Sequence, residues 1–422
     1  MLKNLLKFSW RNIWRNKRRT FFTLLAIAVG VFSLVFAKSY ITGILNTSIE
    51  VVIKTEAGHV SIAHEEYLRL KRILPKEHMV NGLNRLQDEV SALPGVEMTR
   101  AQIKFNVMLS HDEDNEIALA IGIEPEKTDK SMDLSKTVVE GDYLTGSGLE
   151  LIIGKKMAEK LGVKVNDELL LVTSDINYST YALPFKIVGI FETGFSYFDK
   201  HLLYIHIQKA REMLDCQDSV HEVLVFLQDP EQSLDIANRV ENILKQKNPE
   251  GSIRVTPWQK HDLLSFWPMA EGIWEKILGI IMLIVALVIL NTMLMAVMER
   301  YREIGVIKAM GFKNREAFSM ILIEAFYLGV IGSVIGGILG GTLSAVLEKT
   351  GIDFAKMTGG VMEKIDMPIP FFGKMLYPDF TLEILVNSII FGIVIALIAV
   401  LYPAFKSARM SPVEAFRSEL KV

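Results

Sequence analysis

Four apolar stretches, each long enough to cross a lipid bilayer, constrain this chain more than any other feature. They occupy residues 20–37, 277–298, about 318–347 and 384–405; a helix crossing the hydrocarbon core takes roughly 20 apolar residues. Backbone polar groups find no water in lipid, so each stretch must satisfy its own hydrogen bonds as an α-helix. The first is expected to remain as an anchor: its apolar run is long for a signal peptide, and no small-x-small cleavage site follows cleanly. Half of the residues are apolar, too many for an average soluble protein and too few for a pure membrane bundle, so a large water-facing part is expected as well.

Charge placement sets an expected orientation, because Lys and Arg accumulate in cytoplasmic flanks. Lys3, Lys7, Arg11, Arg15, Lys17, Arg18 and Arg19 precede the first stretch with no acid among them. Arg300, Arg302, Lys308, Lys313 and Arg315 lie between the second and third, and Lys406, Arg409, Arg417 and Lys421 follow the fourth. All three flanks are expected to be cytoplasmic, with both termini inside and the longer connections outside. The net charge of -3 and pI of about 6.3 give no support for nucleic-acid binding. The single cysteine, Cys216, allows no internal disulfide and reads as an ordinary small apolar residue.

The expected organisation is a cytoplasmic amphipathic helix at 1–19, spans at 20–40, 276–298, 317–347 and 384–405, and outward segments at 41–275 and 348–383. A cytoplasmic helix and loop at 299–316 and a tail at 406–422 complete it. In the first segment Leu2, Leu6, Trp10 and Trp14 run beside Lys3, Lys7, Arg11 and Arg15, the pattern of a helix lying in the headgroup layer; a basic start-transfer flank explains the same residues. The outward segment reads as α+β. The runs HVSIA, QIKFNVMLS, EIALAIGIE, ELLLVT, FKIVGIF, LLYIHI and EVLVFLQ have strand character. One helix is capped by Asp229 and Pro230, with Leu234, Ala237, Val240, Ile243 and Leu244 on one face; KKMAEKLGV is another, ended by Gly162. The strand-rich centre, about 105–230, suggests two subdomains, one formed by both ends of the segment.

Chemistry of the usual kinds is absent. LELIIGKKM has Leu149 where a phosphate loop needs its first glycine, and no G-x-S-x-G or H-E-x-x-H occurs. HDEDNE (111–116) lacks the glycine and distal glutamate of a calcium loop and reads as a solvated hairpin turn. His59 with His64, and His201 with His206, have no third ligand. No cofactor or metal is expected on this chain.

Two features remain. The third stretch carries Gly332, Gly336 and Gly340 beside Gly329, Ser333, Gly337 and Gly341. Such rows let helix backbones approach closely in lipid, against a helix of the same chain or of a partner subunit. The segment ERYREIGVIKAMGF (299–312) then follows the second span. Glu299, Arg300, Arg302 and Glu303 continue the helix, Ile304, Ile307 and Met310 offer an apolar face, Gly311 stops it, and Asn314 can cap the next helix. A short amphipathic helix at the membrane surface suits docking into a groove of a cytoplasmic protein; a charged loop that merely enforces topology is the bland alternative. Glu324 is expected to pair with a basic residue of this turn or to bridge helices.

MERYREIGVIKAMGFKNREAF resembles the cytoplasmic turn of ABC-transporter permeases of the type that includes the macrolide exporter, the lipoprotein-releasing permeases and the FtsX-like proteins. YPAFKSARMSPVEAFR (402–417) is similar to the ending of that family, and WRNIWRNKRRTFFTLLAIAVGV to its first span. The resemblance implies a membrane protein of four transmembrane helices with a large α+β extracytoplasmic domain between the first two. It also implies that 299–311 is a coupling helix receiving the stroke of a separate cytoplasmic ABC ATPase dimer, where ATP and Mg would bind. Glu299, Arg300, Arg302, Glu303, Gly305, Lys308 and Gly311 match the motif. Further expected partners are a second permease chain, like or unlike, membrane lipid, and a lipoprotein, periplasmic chaperone or adaptor. Thr193, Gly194 and Asp199 fit a T-G-x-x-x-x-D segment of the lipoprotein-releasing branch, which implies extraction of lipoproteins or another amphiphile from the outer leaflet of a bacterial inner membrane. Export of a peptide or drug through an adaptor, and signal relay to a cell-wall hydrolase, are the alternatives. Phe266, Trp267, Trp274, Phe371 and Phe372 are candidates for the mouth through which an amphiphile would enter; interfacial anchoring explains them as well.

Overall fold

The computed structural model describes residues 2–112, 114–146, 148–247, 252–264, 267–299, 301–353 and 375–409. The chain opens with α1 (Leu2–Arg15) and α2 (Lys17–Val52), then β1 (Val60–His64), α3 (Glu65–Arg69), β2 (Val80–Asn81), α4 (Leu83–Ser91), β3 (Val96–His111) and β4 (Asp114–Ile123). There follow α5 (Pro125–Met132), β5 (Val138–Gly141), β6 (Glu150–Gly154), α6 (Lys155–Leu161), β7 (Glu168–Ser174), β8 (Thr180–Phe191), α7 (Ser196–His201) and β9 (Leu202–His206). Next come α8 (Ile207–Leu214), β10 (Ser219–Val220), β11 (Glu222–Leu227), α9 (Ser233–Lys247) and β12 (Ile253–Pro257). The chain then forms α10 (Trp267–Glu299), α11 (Tyr301–Ala309), α12 (Asn314–Thr350) and α13 (Leu382–Arg409). Two compact units result: one within 1–46, 268–352 and 376–422, the other within 47–267 and 353–375.

In the first unit, α2, α10, α12 and α13 are the helices long and apolar enough to cross a membrane. Ile27, Val31 and Val35 of α2 are buried with Ile289 and Met293 of α10, Ile321, Ala325 and Leu328 of α12, and Ala396 and Val400 of α13. Ile280, Leu283 and Leu287 of α10 and Ile338 and Leu339 of α12 are exposed, as lipid-facing positions should be. Both small-residue rows of α12 are used within the chain. A Cβ added at Gly332 would lie 2.8 Å from Ile27, one at Gly336 would meet the Ala28 backbone, and one at Gly340 would lie 3.0 Å from the Phe32 carbonyl, all on α2. Gly329 and Gly337 instead face Ala396 and Ile389 of α13, and Gly341 faces Phe380 just before it. The first helix runs past the expected limit of residue 40: no proline interrupts 38–52, and its 36 residues measure about 54 Å at ~1.5 Å each. A π-helical turn, Ile53–Ala57, and Gly58 at φ +58° end it.

In the second unit, ten strands form one sheet in the order β12-β1-β11-β3-β4-β9-β6-β8-β5, with β7 paired to β3 and β8; β2 and β10 form a separate pair. Every run with strand character falls on a strand. β11 is buried throughout its length, which is why VLVFL, after the buried Glu222, reads as an apolar run without alternation. Both ends of the segment do meet, β1 pairing with β12. β3 runs from 96 to 111 through position 105, pairing β11 at one end and β7 at the other, and one buried cluster draws residues from both sides of it. The HDEDNE turn closes the β3–β4 hairpin. Asp229 accepts from the Glu231 amide (3.0 Å), but Leu234 is exposed while Ile236, Ala237 and Val240 are buried. A 3₁₀ turn at Pro230–Gln232 advances about 120° per residue instead of 100° and so rotates the buried face.

Candidate functional site

The 299–312 segment is built as two helices and a stop. α10 ends at Glu299, α11 runs Tyr301–Ala309, and Gly311 adopts φ +99°, a left-handed conformation that costs glycine nothing. The Gly311 amide donates to Lys308 O (3.0 Å) and that of Phe312 to Ile307 O (3.3 Å), closing the helix end. Cap assignment at α12 differs from expectation. Asn314 is already helical, and the Glu316 carboxylate turns back to accept from the Lys313 amide at 2.7 Å, as the third residue of a capped helix does.

Most of the charged side chains expected to meet a partner are engaged by this chain. Arg15 donates to the Glu303 carboxylate at 2.5 Å. The Asn16 amide donates to Glu299 at 3.2 Å. Arg19 Nη2 lies 2.8 Å from Glu324 Oε1, and Nη1 lies 4.0 Å from Glu299. Lys308 Nζ donates to the Ala408 carbonyl on α13 (2.8 Å), and burial pushes its ammonium below the ordinary lysine range. The apolar face is also turned. Ile304 and Gly305 are buried and Ile307 half-buried, whereas Val306 and Met310 are exposed, Met310 at 76%. Of the expected Ile304, Ile307 and Met310 only the last faces outward, because the wider apolar row of α11 packs on its own unit. Arg300 lies outside the described residues, and Arg302 falls within α11.

Glu324 is 3% exposed and meets Arg19 of α2, bridging α12 to that helix. Sequence reasoning read Arg15 as part of a cationic stripe and a topology flank, Arg19 as a topology flank alone, and assigned nothing to Asn16. A signal was available: Arg19 heads a row at every fourth residue, with Thr23, Ile27, Val31 and Val35, and those four are all buried.

The T-G-x-x-x-x-D segment closes a loop after β8. Asp199, 3% exposed, accepts from the Thr193 amide and hydroxyl, both at 2.7 Å, while Gly194 sits at φ +81°. Burial pushes the Asp199 carboxyl up and these bonds pull it partly back. Of the mouth candidates, Trp274 is exposed on α10 and Trp267 opens that helix; Phe266, Phe371 and Phe372 lie outside the described residues. The histidines serve the fold: His59 Nδ1 accepts from the Leu227 amide (2.8 Å), and His64 and His206 accept from the Glu66 and Gln208 amides (both 3.2 Å). Among the described residues no group of His, Cys, Asp or Glu could hold a metal ion. Cys216 is buried, and burial raises its thiol to about 11.

Two family descriptions match in the order the architecture demands. Residues 20–243, more than half of the chain, match the MacB-like periplasmic core domain, and residues 276–412 match the FtsX-like permease C-terminal region. The chain is an ABC-transporter permease of the FtsX-like and MacB-like family. The permease is 24% identical to a lipoprotein-releasing system transmembrane protein, LolC, of Xylella fastidiosa over 74% of its own length and 75% of that protein's. It is 25% identical to a pyoverdine export ATP-binding/permease protein, PvdT, of Pseudomonas putida over 98% of its own length, and spans 59% of that longer chain. The periplasmic region of MacB from Actinobacillus actinomycetemcomitans aligns with 49% of the permease at 11% identity, covering 92% of that structure with a TM-score of 0.37.

Proposed function

We propose that the permease relays ATP turnover in a separate cytoplasmic ATPase pair, which would hold the ATP and Mg, to its 47–267 unit, and that it extracts lipoproteins or another amphiphile from the outer leaflet. The observation that supports the relay is α11, a short helix between two membrane-length helices that keeps Val306 and Met310 exposed. These are the apolar anchors a groove could take, and the basic flanks support a cytoplasmic position for them. The likeness to LolC supports lipoprotein release, and the match to PvdT over nearly the whole chain favours export as a second reading. A second permease chain, like or unlike, would complete the pair.

Affinity purification of the tagged permease from its own membranes, with mass spectrometry of what accompanies it, tests this reading. An ATPase together with acylated lipoproteins is the expected result; an ATPase with a periplasmic adaptor transfers the assignment to export, and one with a cell-wall hydrolase to signalling. Met310→Glu should reduce ATPase recovery at least tenfold while membrane insertion is unchanged; undiminished recovery removes α11 as the docking element.

A further inference from the structure

Arg19 stands apart from its basic neighbours. Lys17 and Arg18 are exposed, as a topology flank requires, but the Arg19 side chain is only 10% exposed and its partner Glu324 only 4%. A buried carboxylate on a membrane-length helix is expensive and normally marks a site where charge is used. Arg19 lies at the start of α2 and faces two carboxylates, Glu299 at the end of α10 and Glu324 on α12. Those two residues bracket α11 in sequence. The adjoining turn repeats the pattern: Arg15 holds Glu303 inside α11 and Asn16 holds Glu299.

Packing of α2 on α12 does not need this ion pair, because Gly332, Gly336 and Gly340 already seat α2 on α12 from Ile27 to Val35. What the charges add is a tie between α2 and the helices on either side of α11. Without it, a displacement of α11 would reach α10 and α12 through the chain itself but would reach α2 only through apolar contacts, which can slide, and through the exposed Arg15 and Asn16 contacts that precede it. We infer that Arg19 is a positioning residue: with Glu299 and Glu324 it staples both flanks of the coupling helix to α2, the helix that leads directly into the 47–267 unit, so that ATPase movement is delivered to α2. This rests on the proposed role of α11.

The experiment uses the full-length permease, purified with its ATPase and placed in lipid nanodiscs. Two quantities are read: MgATP turnover, with its KM, and the change in amide exchange of residues 47–64 between nucleotide-free and MgATP–vanadate states. Arg19→Gln and Glu324→Gln should each keep the KM for MgATP within twofold while reducing the nucleotide-dependent exchange change at least fivefold. The exchanged pair Arg19→Glu with Glu324→Arg should restore at least half of that change, and Glu299→Gln should have a smaller effect than Glu324→Gln. Persistence of the change in Arg19→Gln overturns the inference. So does failure of the exchanged pair to restore it, including the case where the single variants lose the ATPase altogether. Met310→Glu separates the two readings: if it retains the ATPase and the exchange change, the docking role of α11 fails, whatever the Arg19 variants do.

Discussion

His221 has no accessible surface, stacks on Tyr67 with ring centroids 4.8 Å apart, and accepts from the Lys104 amide through Nδ1 at 3.1 Å. Beside it, Glu222 lies 2.7 Å from Lys71 and 3.3 Å from Lys104, and Lys104 also pairs with Glu56. Burial alone would raise the Glu222 carboxyl, but the two ammonium groups outweigh it and hold it well below the usual carboxylate range. Burial dominates at His221 and lowers its pKa to about 4. A group whose folded pKa is depressed costs the folded state as pH falls from the unfolded value, about 6.5, toward the folded one. The shift corresponds to roughly 3 kcal/mol of stability lost by pH 4. Thermal unfolding of the permease in detergent should therefore show a domain transition that drops in temperature between pH 6.5 and 4. His221→Asn should flatten that slope while lowering the transition at neutral pH; an unchanged slope removes His221 as its cause.

At the scale of elements, the four long helices and the strands were legible because lipid and a buried sheet each impose a composition that a short window reveals. Partner choice was not legible. The glycine rows of α12 announce close packing, yet nothing in a one-dimensional row distinguishes a neighbour in the same chain from one in another. Ile304, Ile307 and Met310 looked like one outward face, but an amphipathic helix fixes only that its apolar side is covered, and in α11 this chain covers most of it. The course of the long strand β3 was not legible either, since its pairing with β11 and β7 depends on residues 60 or more positions away by chain number. The packing of α12 gives a sharp expectation. Gly336→Leu must displace the Ala28 backbone, whereas Gly329→Ala meets the Ala396 methyl at 3.3 Å and the Ile393 backbone at an ordinary contact distance of 3.5 Å. The first should cost about 3 kcal/mol or more and the second under about 1 kcal/mol, read as loss of folded protein in steric-trapping or denaturant titrations in micelles. Equal costs would show that the α2–α12 contact is looser than the glycine row implies.

At the scale of the whole molecule, one apolar core lies among α2, α10, α12 and α13 and another packs against the ten-stranded sheet. Calorimetry of the full chain should resolve two transitions. The one belonging to the 47–267 unit should move with acid, since the buried His221 and Glu222 lie there, and Gly336→Leu should shift the other. A single transition responding to both perturbations would show that the units unfold as one.

The pairing of β1 with β12, Val60 opposite Pro257, brings the first and last strands of the domain side by side at one edge of the sheet. A folded body whose entry and exit points are neighbours behaves as a cassette: it can be lengthened, trimmed or exchanged for another with the same end spacing without asking the flanking helices to repack. Proteins of this architecture are then free to diverge by wholesale substitution of the inserted body, while the four long helices stay as they are.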